Sequence, residues 1–517
     1  MLVTLKVLSL PTIFFLSLAM LALSAMVILH PRVPLNFVRI HVRICGLPPL
    51  IALLNLVTNS TKVIFGPWRL DPLAWLATLF VLTIGLVVQR YSVRQLLGDR
   101  NYRGYFALLT LTTGSASLAW LSNDLRLLLV CWGATLLGLT LLIRLNRDWR
   151  VAKSAAVRAG RLFALSWIIL LLAITWLALM TGHWQFSLTL TQGSLVQLSS
   201  WERTGIALLL VIAVAIPAAQ YPFQRWLLDS VVAPTPVSAV MHAGVVNAGG
   251  IILARFAPIF SGDLAPIVLI VLSGISVLLG TGTILVQVDY KRQLVGSTIA
   301  QMGFMLIQCS LGAYLAAIIH AVLHGLFKSA LFLQAGSAVH HNEQAVRATT
   351  TQTSFLWRTA GIILGLFVGI GFWFIVKGRG YDMISALLLG WSVSFAWSHL
   401  VTSGVGRIGR TVGFTLLAGA LIVFSIILAA FYVLLHGTVS QGVQPHTSSI
   451  ILVLFILLTS SVTGAWLSRH PSSTFSAVVY LWLVHLGEPY HDSIESHPKY
   501  LTAMPYSQGG KTRWMER

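Results

Sequence analysis

The chain has 517 residues, of which 56% are apolar and only 9% charged, and its formal net charge is +20. Soluble domains carry about 25% charged residues, so a soluble globular protein is excluded. Apolar runs of about 20 residues recur from end to end and indicate an all-α polytopic membrane protein. Its basic residues sit in short loops between the runs, which topology explains and nucleic-acid binding does not.

In chain order, Val7–Leu29 is the first span, its apolar run too long for a cleaved signal peptide despite the small residues from Ala22 to Ala25. Further spans are expected near 44–58, 71–90, 104–121, 123–143, 160–181, 204–224, 235–257, 264–287, 293–311, 313–337, 356–376, 382–402, 411–436 and 448–468; of these fifteen runs, the first included, about 14 (13–15) are expected to be transmembrane helices. The short run near 44–58 contains Pro48 and Pro49. Four regions follow: N-terminal spans over 1–70, a core over 71–403, C-terminal spans over 404–470, and a last segment over 471–517. Within that segment Phe475–Leu486 is too short to span and is expected along the interface or against a partner.

Of the 34 Lys and Arg residues, roughly 25 fall in alternate loops on one side, including Arg90, Arg94, Arg144, Arg158, Lys291, Arg292 and Arg410. Positive-inside then expects the N-terminus outside and the C-terminus in the cytoplasm.

The most informative stretch is Leu311–Gly336, where His320, His324 and Lys328 stand at i, i+4 and i+8. A helix turns about 100° per residue, so these groups share one face. Lys328 is the one basic residue read well inside a span. A cation at that depth costs at least about 2.5–3.5 kcal/mol, so it is expected to face a protein or water interior and to relay protons. The alternative is a lysine snorkelling to the interface.

Between Ala215 and Arg255, Pro217 and Pro222 interrupt an apolar run and predict a broken helix with a hydrated pocket. The following span carries His242 and Asn247 into the membrane, among the small residues Ala243, Gly244, Ala248, Gly249 and Gly250. Asp289 is expected as an anchor at a helix mouth, with Asp71 and Asp229 at span ends.

Other patterns lack the context their chemistry needs. Gly404–Gly409 satisfies G-x-G-x-x-G with no preceding strand. His485, Glu488 and His491 are separated by Pro489, and His340, His341 and Glu343 form no better metal set. Cys45, Cys131 and Cys309 lie far apart and suggest neither disulfide nor metal site.

The runs AQYPFQRWLLDSVVAPTPVSAVMHAG, DYKRQLVGSTIAQMGFM and IIHAVLHGLFKSALFL resemble the antiporter-like subunits of respiratory complex I, hydrogenases and Mrp complexes. With GVVNAGG at Gly244–Gly250, the resemblance is strongest to DabB-type subunits of the two-component DAB complex, which accumulates inorganic carbon. It covers about Arg69 to Ala338. The resemblance implies two inverted five-helix repeats with broken helices. It also implies proton translocation that energises uptake of CO2 or bicarbonate with a large peripheral DabA-like zinc partner. Zinc is expected in the partner, and no cofactor or catalytic chemistry in this chain.

The departures from the family are specific. Gly133 and Pro217 stand where complex I subunits carry a glutamate and a lysine, so both charges of that pair are missing. For the charged residue of the second broken helix, Lys377 is the nearest match. A single or modified proton path is therefore expected. A complex I, hydrogenase or Mrp antiporter subunit, handling H⁺ or Na⁺, is the first alternative, and a non-conducting anchor the second.

Overall fold

A computed structural model describes residues 2–58, 62–146, 149–260, 264–335, 355–376, 380–402, 406–435, 437–439, 445–470 and 472–488. Lys377, residues 340–343 and 403–405, His491 and the tail beyond lie outside them.

Helix α1 (Leu2–Leu29) is followed by α2 (Phe37–Ile44) and α3 (Leu47–Thr58), a hairpin of β1 (Val63–Phe65) and β2 (Trp68–Leu70), then α4 (Pro72–Gln95), α5 (Tyr102–Leu121), α6 (Leu125–Ile143) and α7 (Arg150–Thr181). Two short helices, α8 (Phe186–Thr189) and α9 (Gln192–Val196), lead to α10 (Ser200–Ala215), α11 (Arg225–Asp229), α12 (Thr235–Ala243) and α13 (Ala248–Arg255). Next come α14 (Leu264–Val286), α15 (Tyr290–Ser310), α16 (Tyr314–Ala335), α17 (Phe355–Val376) and α18 (Gly380–Trp397). The last three are α19 (Gly406–Leu435), α20 (Thr447–Arg469) and α21 (Thr474–Gly487).

Among the described residues, ten helical segments are long and apolar enough to cross a membrane. Helices α5 and α15 have 20 and 21 residues but fall outside that set. Three carboxylates start helices: Asp71, Asp124 and Asp289 accept from the backbone N–H of Ala74, Arg126 and Arg292 at 2.8, 2.8 and 3.2 Å. Each satisfies a donor that the first turn leaves without a helical partner.

Burial locates the functional core. Nearly every residue of the segment Thr235–Arg255 is buried, whereas almost none of Ile408–Leu435 in α19 is, which places α19 at the edge of the bundle. Leu179, Phe327 and Leu285 point outward, as a lipid-facing surface requires.

Several boundaries differ from the sequence reading. The second segment begins at Phe37, not near 44, and hinges at Cys45–Gly46. That brings in His41, fully buried between Ser24 Oγ at 2.7 Å and Thr110 Oγ1 at 3.0 Å. The segment after α11 is not continuous, because it breaks at Gly244. Helix α18 ends in a π turn over Ser398–Thr402. Helix α21 covers the short segment expected after 471; its Leu483 packs over Gly282 of α14, while Phe475, Leu481 and Trp482 are exposed.

Candidate functional site

The break between α12 and α13 builds one half of the site. In an unbroken helix the Asn247 N–H would bond the Ala243 carbonyl four residues back. Here it bonds Gly244 O at 3.1 Å in a tight 3-10 turn. The released Ala243 carbonyl accepts from the Asn247 side-chain Nδ2 at 2.6 Å instead. Asn247 Oδ1 consequently faces α16, where His324 Nδ1 stands 3.2 Å away. Gly325 permits this approach, since a Cβ there would lie 2.9 Å from Ala243 O and 3.1 Å from Asn247 Nδ2.

Because an amide oxygen only accepts, His324 Nδ1 is the donor. The lone pair of its neutral ring then resides on Nε2, which is buried without a hydrogen-bond partner. His320 lies one turn away, ring centroids 6.2 Å apart, half-buried and against Phe304.

The other half is assembled on the first turns of α15. Lys328, only 2% exposed, donates from Nζ to the Leu294 carbonyl at 3.2 Å. Thr298 Oγ1 donates to the same carbonyl at 2.9 Å. His242, from the last turn of α12, places Nδ1 3.1 Å from Thr298 Oγ1. Its ring stacks on Phe332 of α16, with centroids 4.2 Å apart and planes at 19°. Among the described residues no carboxylate forms a salt bridge with Lys328. His242, His324 and Lys328 are thus gathered into one buried region where α12, α15 and α16 meet, with His320 at its half-buried end.

The second break, from Ile216 to Gln224, is present as Pro217 and Pro222 require, but its freed backbone groups find protein partners. Pro217 has no N–H, and the Ala213 carbonyl it leaves accepts from Ser166 Oγ of α7 at 2.7 Å. Trp226 Nε1 donates to Ile216 O at 2.8 Å, and Tyr221 N donates to Ser276 Oγ at 2.8 Å. The backbone demand that called for a hydrated pocket beside His242 is therefore met by side chains. Gln220 reaches α15, its Nε2 3.4 Å from Ile299 O, and its Oε1 is buried without a partner.

Trp167 of α7 packs directly against Gly133 of α6. Its indole donates to Leu129 O at 2.9 Å, and a Cβ on Gly133 would lie 2.7 Å from the indole nitrogen.

Asp229 and Asp71 tie separate segments together. Asp229 pairs with Arg158 of α7 at 3.2 Å without hydrogen-bond geometry; burial raises its carboxyl above the ordinary value, partly offset by Arg158, Arg225 and Arg292. Asp289 is exposed and serves as a helix cap. Asp71 is fully buried and takes both guanidinium nitrogens of Arg255, at 2.5 and 2.7 Å, plus Arg69 Nε at 2.7 Å. Burial alone would raise this carboxyl, but Arg255 and Arg69 hold it down at about 2.

The sequence reading did not single out Thr298, Phe332 or the Asp71–Arg255 clasp. A threonine in an apolar helix gives no signal of its own. An unusual Gly244-to-Asn247 run inside a span was the available hint of the break.

Comparison with known proteins agrees with this architecture. The family NADH:quinone oxidoreductase/Mrp antiporter, TM, matches residues 122–411. A probable inorganic carbon transporter subunit DabB from Bacillus subtilis (strain 168) is 60% identical, covering 97% of this chain and 99% of that protein. The protein of the same description from Bacillus anthracis is 55% identical over 99% and 100% of the two chains. A chain of the Mrp complex from Dietzia sp. DQ12-45-1b shares the fold with a TM-score of 0.62 at 23% identity; the match covers 92% of this chain and 59% of that one.

Proposed function

Since the chain belongs to the DabB branch of the NADH:quinone oxidoreductase/Mrp antiporter membrane family, we propose that it translocates protons to energise inorganic carbon uptake. In this reading it works with a peripheral DabA-like partner, to which the zinc and the hydration of CO2 are assigned. The observation that carries the proposal is the buried Lys328, hydrogen-bonded to a backbone carbonyl and flanked on two helices by His242 and His324. An ammonium without a salt-bridging carboxylate is costly at membrane depth, and such groups in membranes serve ion and proton pathways. Histidine titrates near neutral pH and suits both giving and taking a proton.

Protons enter at the half-buried His320, pass to the free Nε2 of His324 and reach Lys328, with waters filling gaps longer than a hydrogen bond. They leave past His242 toward the end of the bundle that carries Arg90, Arg158 and Arg292, taken as the cytoplasmic side. The N-terminus is then outside.

The test is growth of a carbonic-anhydrase-deficient bacterium at ambient CO2, with the partner co-expressed and assembly checked by pull-down. Chain and partner together should rescue, and neither alone should. Lys328→Met should assemble and fail to rescue. Near-normal growth with assembled Lys328→Met ends the proton-path reading, and rescue by this chain alone ends the division of labour.

A further inference from the structure

His242 and Lys328 arrive from different helices, yet both bond to the same turn of α15 through two atoms, the Leu294 carbonyl oxygen and the Thr298 hydroxyl. A hydroxyl has one proton to donate and two lone pairs to accept with. While Thr298 donates to Leu294 O, it can only accept from His242 Nδ1–H. Turned about its Cβ–Oγ1 bond, it donates to a bare Nδ1 and opens a lone pair to the lysine.

We propose that the Thr298 hydroxyl is the proton bridge between Lys328 and His242, a role that rests on the proton-path reading above. In the transfer, an Nζ–H bond of the ammonium breaks as the proton joins Oγ1, and the former hydroxyl proton leaves Oγ1 for His242 Nδ1. Lysine ends neutral, the imidazole gains one proton, and the threonine is again a hydroxyl. The bridge is reset once the imidazolium has released a proton and carries its remaining one on Nε2, leaving Nδ1 bare, and the hydroxyl has turned back to Leu294 O.

A threonine bonded to the carbonyl four residues back is ordinary in a membrane helix. Thr112, Thr135 and Thr283 do the same here, to Leu108, Cys131 and Leu279. Thr298 differs because a histidine meets its oxygen and a buried lysine shares its acceptor. Phe332 stacks on the His242 ring and fixes the plane in which Nδ1 faces α15. The lysine stem is flexible, and its Nζ and the hydroxyl already share one acceptor, at 3.2 and 2.9 Å.

The experiment compares Thr298→Val, Thr298→Ala and Thr298→Ser in the assembled two-component complex, with Lys328→Met as reference, reading bicarbonate-dependent growth and uptake of labelled inorganic carbon. Valine keeps the shape and removes the hydroxyl, so uptake should fall about 100-fold, the low end of what a positioned proton-transfer group contributes. Serine keeps the hydroxyl and should retain most of the uptake that valine loses. Normal uptake by assembled Thr298→Val overturns the bridge, while Lys328→Met, still blocked, leaves the proton path standing. A serine variant as poor as valine makes the site one of packing and also overturns it. Failure of both Val and Ala to assemble assigns the hydroxyl to folding, with the same consequence. Normal uptake by Lys328→Met removes the proton path itself.

Discussion

Asn247 and His324 meet in one hydrogen-bonding sense only. Asn247 commits its Nδ2 to Ala243 O at 2.6 Å, so Oδ1 alone faces His324 Nδ1 at 3.2 Å. A helix break in one span thus sets which nitrogen of a histidine in another span keeps its lone pair. That nitrogen, Nε2, is buried and open, as a group receiving a proton must be.

Removing this lock should be felt in stability and transport together. Asn247→Ala frees both Ala243 O and His324 Nδ1, and leaving such buried groups unpaired costs about 1–3 kcal/mol each. Asn247→Asp should be no better, because its second oxygen would face Ala243 O and add a buried charge. Melting of the detergent-solubilised complex and labelled-carbon uptake measure the two effects; an aspartate variant that is normal in both contradicts the assignment.

Replacing Lys328 by arginine preserves charge but not the ability to let go of a proton, since a guanidinium stays protonated throughout the physiological pH range. Lys328→Arg should therefore assemble and fail in uptake as completely as Lys328→Met. His324→Ala should be milder, because a water can occupy the vacated ring position. The ranking in uptake rate checks this, and an active arginine variant would contradict proton exchange at this position.

At the opposite end of α4, Asp71→Asn leaves Arg255 and Arg69 buried without their carboxylate and should destabilise the chain by about 3 kcal/mol or more. With its carboxyl held at about 2, Asp71 contributes stability that is full above the ordinary carboxylate value of 3.8 and lost as pH falls through 2. Between about pH 5 and 8 the stability gap between wild type and Asp71→Asn should therefore stay constant. A gap that closes within that window would show the clasp is not ionic.

Trp167 and Gly133 should behave as a coupled pair. Gly133→Ala forces a methyl to within 2.7 Å of the indole nitrogen, and overpacking of that kind costs about 1–3 kcal/mol. Gly133→Ala made on a Trp167→Phe background should cost less, giving a coupling of about 1 kcal/mol in a double-mutant melting cycle. Strict additivity would mean that the indole does not press on Gly133.

Class, approximate spans and the lysine-bearing face follow from sequence because each is local. Hydropathy is summed over consecutive residues, and His320, His324 and Lys328 share a face by helical spacing alone. The break at Pro217 was equally legible, since proline removes its own N–H.

Which groups those residues meet was settled only by packing. Asp71 and Arg255 are 184 positions apart, and Asn247 and His324 are 77. Lys328 and His242 are joined by a carbonyl and a threonine on a third helix, which no periodicity marks. At Pro217 the missing N–H created the need for a partner, but the fold supplied Ser166 where water was expected. At Gly244 the break depends on Gly325 of another helix leaving room for it. Composition and spacing place a residue in the membrane and on a face. Its hydrogen-bond partners depend on how closely neighbouring helices approach, and that closeness is decided by side chains far away in the chain.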